Sequence, residues 1–156
     1  MPKNLEVKKA NIELFHKTAQ CFEEKNTELF NVYEQHSLIR RLRKANRTCK
    51  KHQIYCDLGC GTGNFVEKQI REFQEVIGLD ISRSMITICK AKGLGKMACF
   101  VVADAENLPF RENIFDMVTM HAALHHIPSP LNCFKEIYRV LPKDGIMYID
   151  HEPNSK

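Results

Sequence analysis

The 156-residue sequence predicts an α/β fold, a doubly wound parallel sheet preceded by helices. Two observations predict it. From residue 53 onward, five short apolar runs alternate with helical patterns, which is the arrangement of successive βαβ units. A turn with glycines at alternate positions, Gly59, Gly61 and Gly63, directly follows the first of these runs. We therefore expect an N-terminal helical cap segment over residues 1–52 and an α/β core over residues 53–156, within a single domain.

The first 52 residues carry helical spacing. Apolar side chains recur every three to four residues between positions 11 and 25, which predicts an amphipathic helix there. A second helix is predicted over residues 27–45. Its expected apolar face consists of Leu29, Val32, Tyr33, His36, Ile39 and Leu42.

The predicted strands cover residues 53–58, 75–79, 97–103, 114–120 and 146–149. A helix is predicted over residues 64–72, and another over residues 82–92 with Ser82 as N-cap and Gly93 as its stop. A third begins near Pro130 and continues to residue 140. Its expected apolar face consists of Leu131, Phe134, Ile137, Tyr138 and Leu141.

Composition predicts a globular cytoplasmic protein. No apolar run approaches the roughly 20 residues of a membrane span, and the N-terminus lacks the apolar core of a secretory signal. The seven cysteines are scattered through predicted strands and helices, which indicates buried thiols in a reducing compartment, Cys56 and Cys99 among them. Cys56 and Cys60 have no further ligands nearby, so no metal site is predicted.

The net charge of +4 is concentrated in one segment. Between residues 40 and 51 there is no acid, and the seven basic residues are Arg40, Arg41, Arg43, Lys44, Arg47, Lys50 and Lys51. The segment is interpreted as a solvated helix end, as a phosphate-binding patch for RNA, or as a surface that attracts an anionic small molecule or lipid. Few aromatic residues are interleaved and no RNA-binding motif is recognised, so nucleic acid is not favoured.

The glycine turn predicts a backbone-lined socket, because glycine permits a tight turn and a close ligand at a helix N-terminus. A dinucleotide fold places a glycine at the sixth position of its motif, where this chain has Asn64. Asp57, two residues before the first glycine, suits a sulfonium or ammonium better than a pyrophosphate. An NAD-linked oxidoreductase is therefore disfavoured.

Acids also follow the next two strands. In an open parallel sheet, ligands bind beyond the carboxyl ends of the strands. Asp80 lies 21 residues after Gly59, a spacing that suits a bidentate bond to ribose hydroxyls. Asp104, after the third strand, is placed to accept from an adenine amino group. The alternative for each acid is an N-cap or an ordinary loop residue.

Five segments spread over residues 53–150 resemble class I S-adenosylmethionine-dependent methyltransferases. The resemblance is to the branch with quinone C-methyltransferases and many small-molecule methyltransferases, the type 11 domain. The segments are Asp57-Leu58-Gly59-Cys60-Gly61-Thr62-Gly63, Gly78-Leu79-Asp80-Ile81-Ser82, Ala103-Asp104-Ala105-Glu106-Asn107-Leu108-Pro109-Phe110, Phe115-Asp116-Met117-Val118 and Glu136-Ile137-Tyr138-Arg139-Val140-Leu141-Pro142-Lys143-Asp144-Gly145.

The resemblance implies a Rossmann-like sheet of strand order 3-2-1-4-5 and S-adenosyl-L-methionine as cofactor. The glycines would line its methionine part, Asp80 would hold the ribose, and Asp104 and Ala105 would meet the adenine. Phe15 and Phe22 either form a lid over the cofactor or are core residues of their helix. The implied cofactor-binding residues are Asp57, Gly59, Cys60, Gly61, Gly63, Asp80, Ile81, Met85, Asp104, Ala105 and His121.

The acceptor is expected to be a small molecule, quinone-like or lipid. His125 and His126 follow the fourth strand and are candidate bases, the alternative being that they only pack or bind backbone. The segment from Met120 to Leu124 lacks the Asn/Asp-Pro-Pro-Tyr/Phe signature of amino-group methyltransferases. A cofactor-binding module without independent turnover and an RNA methyltransferase remain as alternatives.

The chain departs from the family after its fifth strand. A complete class I domain has seven strands, and strands six and seven have no counterpart before Lys156. The residues from Asp150 to Asn154 resemble the start of a longer connection. We expect either a fragment of a longer enzyme, which we favour, or a short form. In the short form a second copy or a partner chain would pair with the exposed strand five.

Overall fold

The computed structural model describes residues 2–152, with side chains from residue 4 onward. The helices are α1 (Pro2–Thr18), α2 (Phe22–Lys25), α3 (Thr27–Phe30), α4 (Val32–Thr48), α5 (Asn64–Gln69), α6 (Arg83–Ala91) and α7 (Pro130–Val140). The strands are β1 (Ile54–Leu58), β2 (Glu75–Asp80), β3 (Cys99–Val102), β4 (Met117–His121) and β5 (Ile146–Asp150). Single 3₁₀ turns occupy Ala19–Cys21, Leu94–Lys96 and Leu124–His126.

The five strands form one parallel sheet in the order β3-β2-β1-β4-β5, which confirms the predicted Rossmann-like fold. In its centre, Tyr55 of β1 lies between Val76 of β2 and Met117 of β4. Because all strands run the same way, their carboxyl ends meet at one edge of the sheet. The loops after β1 to β5 are therefore brought together there.

Side chains alternate between two faces of the sheet and fill two layers of core. Tyr55 and Met117 pack on one face with Ala45, Val66 and Ile86 of α4, α5 and α6. Leu58 and Val118 point to the other face, where they meet Ile137 and Val140 of α7. Both faces are thus covered by helices, as parallel sheets require.

The N-terminal helices differ from the prediction at their boundaries and in one buried face. The first helix begins at Pro2 and is broken at Ala19–Cys21. The second is interrupted at Asn31, whose backbone is extended and whose side chain caps α4 by accepting from the Glu34 N–H at 2.9 Å. The restart shifts the helical phase, so the predicted face is wrong at Val32, Tyr33 and His36. These three are exposed, and the buried residues of α4 are Leu38, Leu42, Ala45 and Asn46.

The helices after β2 agree more closely with the predicted boundaries. Ser82 caps α6, Gly93 follows it with a positive φ of 82°, and α7 spans residues 130–140 as predicted. The predicted α7 face is wrong at Leu131 and Tyr138, which are 65% and 86% exposed. The residues that meet the sheet are instead Cys133, Ile137 and Val140, which are spaced by four and three positions. Cys99 was expected to be buried but is exposed, because it opens the edge strand β3.

β5 is the other edge of the sheet. Within residues 2–152 it pairs with β4 alone, which leaves its outer side unpaired. The connection expected after β5 starts at Asp150, while Pro153 and Asn154 lie outside the described residues. No helix in the described part of the chain is long and apolar enough to cross a membrane.

Candidate active site

A cavity lies at the carboxyl edge of the sheet, with its floor at the ends of β1, β2, β3 and β4. Helix α1 and the segment through α2 and α3 cover it from above. Its lining from the sheet side is Gly59, Cys60, Gly61, Thr62, Asn64, Leu79, Asp80, Ile81, Met85, Ala103, Asp104, Ala105, Glu106, His121, Ala122, Ala123, His126, Ile127 and Pro128. Its lining from the covering helices is Lys8, Asn11, Phe15, Phe22, Leu29 and Phe30.

The glycine turn after β1 has left-handed backbone at all three glycines, with φ of 68° at Gly59, 53° at Gly61 and 90° at Gly63. A Cβ at Gly59 would lie 2.6 Å from the Ala123 Cβ, and one at Gly63 would lie 2.7 Å from the Leu94 Cδ1. A Cβ at Gly61 would meet nothing within 4 Å. Gly61 therefore faces the cavity, whereas Gly63 lies behind its wall at the start of α5.

Asp80 ties the end of β2 to this turn. One carboxylate oxygen accepts the Gly61 N–H at 2.9 Å and the other accepts the Ser82 N–H at 2.8 Å. Burial raises the pKa of Asp80, although the two backbone N–H groups oppose the shift. Each oxygen keeps further lone pairs, and Asp80 lines the cavity, so the carboxylate can still accept from ligand hydroxyls.

Asp57 does not line the cavity. It is 2% exposed beneath the glycine turn, where the Thr119 hydroxyl donates to it at 2.7 Å and itself contacts the Tyr55 hydroxyl. Burial raises the pKa of Asp57 to about 7, against the Thr119 hydrogen bond and with a smaller contribution from Asp80. This acid therefore joins the end of β1 to β4 through Thr119.

Asp104 marks the far end of the cavity, after β3. Its carboxylate accepts the Glu106 N–H at 2.9 Å and pairs with the Lys8 ammonium of α1 at 2.6 Å. Lys8 also lies 3.2 Å from the Glu106 carboxylate. Burial disfavours the Lys8 ammonium, but the two carboxylates outweigh burial and raise its pKa. An ion pair thus fastens α1 over this end.

Further polar links fasten the covering segment elsewhere. The Asn11 amide donates to the His126 carbonyl at 2.7 Å, and the Thr62 hydroxyl donates to Glu23 at 2.7 Å. Between these links Phe15 and Phe22 are half-buried, meet edge to face, and line the cavity. This arrangement is consistent with the predicted lid, since the two rings belong to the covering segment.

Two buried nitrogens that belong to lining residues have no hydrogen-bond partner in the part of the chain that the structure describes. They are Asn64 Nδ2 and His121 Nε2. The Asn64 side-chain oxygen accepts from Lys68 at 2.6 Å, which leaves the amide nitrogen unsatisfied. His121 stacks on Phe65, and burial lowers its pKa to about 4, so the ring is neutral at pH 7. Buried polar groups of this kind need a ligand or water.

A second cavity of about 550 Å³ adjoins the first, within the roughly 300–1,000 Å³ of small-molecule sites. The two share Phe15, Phe22, Leu29, Ala122 and His126. The residues found only in the second are Leu14, Thr18, Lys25, Asn26, Glu28, His125, His151 and Glu152. It therefore combines an apolar wall with a histidine- and carboxylate-rich end.

Glu152 organises that end. Its carboxylate accepts the backbone N–H groups of Ala123, Leu124 and His125 at 2.9, 2.9 and 3.1 Å, and lies 2.7 Å from His125 Nδ1. Burial opposes ionisation of Glu152, but the bonds from His125 and the backbone outweigh it and lower its pKa. An ionised carboxylate only accepts, so His125 Nδ1 carries a hydrogen, and in the neutral form of the ring Nε2 is the acceptor.

His126 lies where the two cavities meet. Its ring is edge-on to Phe15 and 4.0 Å from the His125 ring. Burial lowers the pKa of His126, with a further contribution from His125 and a smaller opposing one from Glu152. Its ring is therefore neutral at pH 7 and can accept a proton.

The sequence-predicted residues separate into three groups. The first cavity brings together Gly59, Cys60, Gly61, Asp80, Ile81, Met85, Asp104, Ala105 and His121. Asp57 and Gly63 lie behind its wall, and of the histidines His126 lines both cavities while His125 lines only the second. Four further residues line the two cavities but were not predicted as site residues: Lys8, Asn11, Asn64 and Glu152. Among these only Asn64 carried a local signal, since it follows the glycine turn directly.

The cavity fits the cofactor that the sequence suggested. It offers an open glycine backbone, a carboxylate after β2, apolar side chains at Leu79 and Met85, and unsatisfied polar atoms at Asn64 and His121. A nucleoside with an amino-acid tail can use all of these. The site thus needs no adjustment of its lining chemistry to accept S-adenosyl-L-methionine.

Comparison with known proteins places the chain among methyltransferases. A family model described as a methyltransferase domain matches residues 56–149. A demethylmenaquinone methyltransferase of Staphylococcus aureus (strain MRSA252) is 33% identical over 145 residues, which are 89% of this chain and 60% of that protein. The chain therefore spans about 60% of the length of the curated relatives it matches.

Solved structures of other proteins also resemble this chain. The YcgJ protein from Bacillus subtilis is 28% identical with a TM-score of 0.67, and the match covers 74% of this chain and 51% of that one. A putative S-adenosyl-L-methionine-dependent methyltransferase from Methanococcus maripaludis has a TM-score of 0.71. It is 24% identical, with 86% of this chain and 62% of that chain covered, so its likeness concerns the fold alone.

Proposed function

The chain belongs to the methyltransferase domain family, with S-adenosyl-L-methionine as cofactor, and we propose that it transfers the cofactor's methyl group to a small-molecule acceptor that is quinone-like or a lipid. The observation that carries this proposal is the pair of adjoining cavities at the carboxyl edge of the sheet. One has the lining of a nucleoside site, and the other has an apolar wall that ends at two histidines.

The residues that would hold the cofactor follow from the lining of the first cavity. The backbone at Gly59, Cys60 and Gly61 would face its methionine part, and Asp80 would accept from the ribose hydroxyls. Ile81 and Met85 would flank the adenine, while Asp104 and Ala105 would meet its edge. The unsatisfied nitrogens of Asn64 and His121 would bond to its polar atoms. Asp57 and Gly63 would act indirectly, by holding the turn.

When bound, the cofactor supplies an activated methyl group, so the remaining task of the chain is to position the acceptor and manage its proton. His125 is held by Glu152 with Nε2 as proton acceptor. His126 is neutral and stands between the cavities. Either can take a proton from an acceptor hydroxyl, and a more electron-rich acceptor is a better nucleophile.

The covering segment would exclude water and close on the acceptor. Phe15 and Phe22 line both cavities and belong to the covering segment. Polar contacts of Lys8, Asn11 and Glu23 hold this segment in place. Links between partly exposed groups are individually weak, so the segment can open for exchange of ligands. We propose that these rings form the lid.

Formation of S-adenosylhomocysteine with an added acceptor tests the proposal. The probe is the reduced form of demethylmenaquinone, the quinone in the relatives' name, with a simple hydroquinone beside it. Product is expected with the unaltered chain. Glu152→Gln is expected to lower the rate at least about tenfold, part of the roughly 10²–10⁴-fold that a positioned proton-transfer group contributes, because the variant holds His125 less firmly. Glu28→Gln, which alters another carboxylate of the same cavity, is the control.

A module that binds cofactor without independent turnover is the second candidate. The outer side of β5, which is unpaired within residues 2–152, favours it, because such an edge can pair with another chain. We propose that a second copy or a partner chain would then pair with β5. Cofactor binding without product, restored by adding the missing partner, would support this candidate against the first.

A cytoplasmic location is part of the same proposal. All seven cysteines are unpaired thiols, and most of them are buried. Unpaired cysteines are typical of a reducing compartment. The cytoplasmic location would be supported if all seven cysteines of the protein isolated from cells react with an alkylating reagent.

A further inference from the structure

The exposed face of α4 is unlike the rest of the helix. On the side opposite the buried Leu38 and Leu42, six exposed residues form a continuous stripe along the helix, here termed the α4 face. Because successive residues are rotated by 100° in an α-helix, these six lie within about 100° of the helix circumference. They are Val32, Tyr33, His36, Arg40, Arg43 and Arg47.

The charges of the α4 face are uncompensated. In the part of the chain that the structure describes, Arg40, Arg43 and Arg47 form no ion pair, and the face carries no acid. Arg41, by contrast, turns inward and pairs with Glu34 and Asp150. Helix-dipole stabilisation is confined to the last turn, so it accounts for Arg47 but not for Arg40 or Arg43. Glu72 lines a cavity with Arg43 and Arg47, but the three arginines outnumber it, so the surface that faces solvent is net positive.

The other end of the α4 face is apolar. Val32 is 67% exposed and Tyr33 is 89% exposed, one turn or more before the first arginine. Tyrosine, like tryptophan, prefers a boundary between an apolar phase and water. Clustered arginines attract anionic lipid headgroups, and an exposed tyrosine and valine on the same surface can enter the interface beside them.

The apolar end also lies beside the second cavity. Glu28 and Leu29 line that cavity, and they precede Val32 by only four and three residues. Three residues of chain span at most about 11 Å, so a surface that contacts Val32 is within roughly that distance of Leu29 in the cavity wall. A lipid acceptor drawn from such a surface would have a short path to the cavity.

We propose that the α4 face docks the chain on an anionic lipid surface, which deepens and rests on the proposed transfer to a lipid or quinone-like acceptor. Charge complementarity selects this occupant. The face carries one tyrosine ring, and the cavity beside Arg43 and Arg47 contains Glu72, whereas sites for single-stranded nucleic acid combine a positively charged groove with several stacking rings. Attraction of the arginines brings the chain to the membrane, and Tyr33 and Val32 enter the interface.

The test is sedimentation with vesicles of phosphatidylcholine alone and of phosphatidylcholine with phosphatidylserine. The unaltered chain is expected to bind the anionic vesicles and to dissociate as salt is raised. The variant Arg40→Gln/Arg43→Gln/Arg47→Gln is expected to bind the anionic vesicles on the order of 100-fold more weakly. Each of the three arginines near such a surface is expected to contribute a similar factor to the affinity. Tyr33→Ser is expected to weaken binding several-fold.

A matched control removes the same charge at a distance from the α4 face. Arg111 and Lys135 are exposed beside α7, on the other side of the sheet from α4, and Lys96 is exposed next to the edge strand β3. Their triple replacement by Gln is expected to change vesicle binding by less than about threefold, because only distant, screened charge is lost. An equal loss in the two triple variants would overturn the proposal, since net charge alone would then explain the attraction.

Three other results would also overturn it. They are absence of binding, equal binding to neutral and anionic vesicles, and tighter binding to a homopolymeric RNA than to anionic vesicles at the same ionic strength. S-adenosylhomocysteine affinity is measured on the same samples. If the unaltered chain binds S-adenosylhomocysteine but not vesicles, only the docking surface is rejected. If the unaltered chain does not bind S-adenosylhomocysteine, the proposed function is rejected.

Discussion

At the ends of β1 and β2 the cavity wall is backbone held by buried carboxylates, whereas near β4 and β5 it is made of side chains brought from distant segments. On the first side Asp80 bonds to the Gly61 N–H, 19 residues away. On the second side Asn11 reaches the His126 carbonyl across 115 residues. We term these the cofactor side and the acceptor side. The cofactor side is fixed by the sheet itself, while the acceptor side depends on elements that can be exchanged.

This difference has a consequence for function. A common cofactor requires a constant wall, and buried, backbone-bonded groups provide one. The wall formed by helices α1 to α3 and the loop after β4 can change without disturbing the strand ends. Gly59 is one junction between the two sides, since it packs against Ala123.

The largest expected effect is at the buried acid under the cofactor side. The pKa of Asp57 is raised to about 7 in the folded chain, above its ordinary value near 3.8. The folded state therefore holds the proton more tightly, and the free energy of unfolding should fall as pH rises from about 4 to about 7. The change is on the order of 2–4 kcal/mol.

Denaturant unfolding at several pH values measures this slope. Asp57→Asn keeps an acceptor for the Thr119 hydroxyl and removes the titration, so its stability should vary less over that range. A slope that is unchanged in the variant would show that another group titrates there.

Gly59 tests the junction of the two sides. Gly59→Ala introduces a Cβ at 2.6 Å from Ala123 in left-handed backbone, and should lower the free energy of unfolding by about 3 kcal/mol. Gly61→Ala has the same backbone strain but open space, so it should lower stability by only about 1 kcal/mol. Thermal or urea unfolding compares them. Equal losses would mean that contact with Ala123 is unimportant.

Glu152 tests the acceptor side alone. Glu152→Ala leaves three backbone N–H groups without their acceptor and should lower the free energy of unfolding by about 2 kcal/mol. Because the pKa of Glu152 is lowered, the stability it provides is present above its ordinary pKa near 4.5 and is lost as pH falls through the folded value. This is the opposite direction from Asp57.

The affinity for S-adenosylhomocysteine should change little in Glu152→Ala, by less than about threefold. Calorimetry on the same sample provides the check. A tenfold loss would show that the two sides are energetically coupled, and the comparison between them would need revision.

The smallest expected effect is at the link between α1 and Asp104. Lys8→Met removes an ion pair between partly exposed groups and should lower stability by no more than about 1 kcal/mol. It should increase the rate at which a protease cleaves within residues 4–25, because the covering segment loses one attachment. Lys9→Met, at an exposed neighbouring position, is the control. Identical cleavage of both variants would argue against a fastened lid.

The two sides also differ in how far the sequence alone could predict them. The strand order, the glycine turn and the positions of Asp80 and Asp104 follow from contiguous motifs, because Asp80 ends β2 and Asp104 lies two residues after β3. Glu152 has no such signal, since its partners lie 27 to 29 residues earlier and only the β4–β5 pairing brings them together.

The errors at the helices have a local cause. The predicted face of α4 assumed one continuous helix, but the Asn31 cap restarts the helix at Val32 and moves Tyr33 to solvent. A single capping side chain thus changed which residues are buried. Arg40, Arg43 and Arg47 share one exposed face because they are spaced by three and four residues within α4.

The most direct test of the cofactor side is calorimetric titration of S-adenosylhomocysteine into the purified chain, beside an NADH control. Asp80→Ala removes the carboxylate of the cavity, and Asp116→Ala is its matched control. Asp116 also accepts two backbone N–H groups, from Gln53 and Ile54, but at the opposite end of β1. We expect binding on the order of micromolar, weakened at least tenfold, or about 1.4 kcal/mol, by Asp80→Ala and unchanged by Asp116→Ala. Tighter binding of NADH, or equal affinity in both variants, would contradict the account.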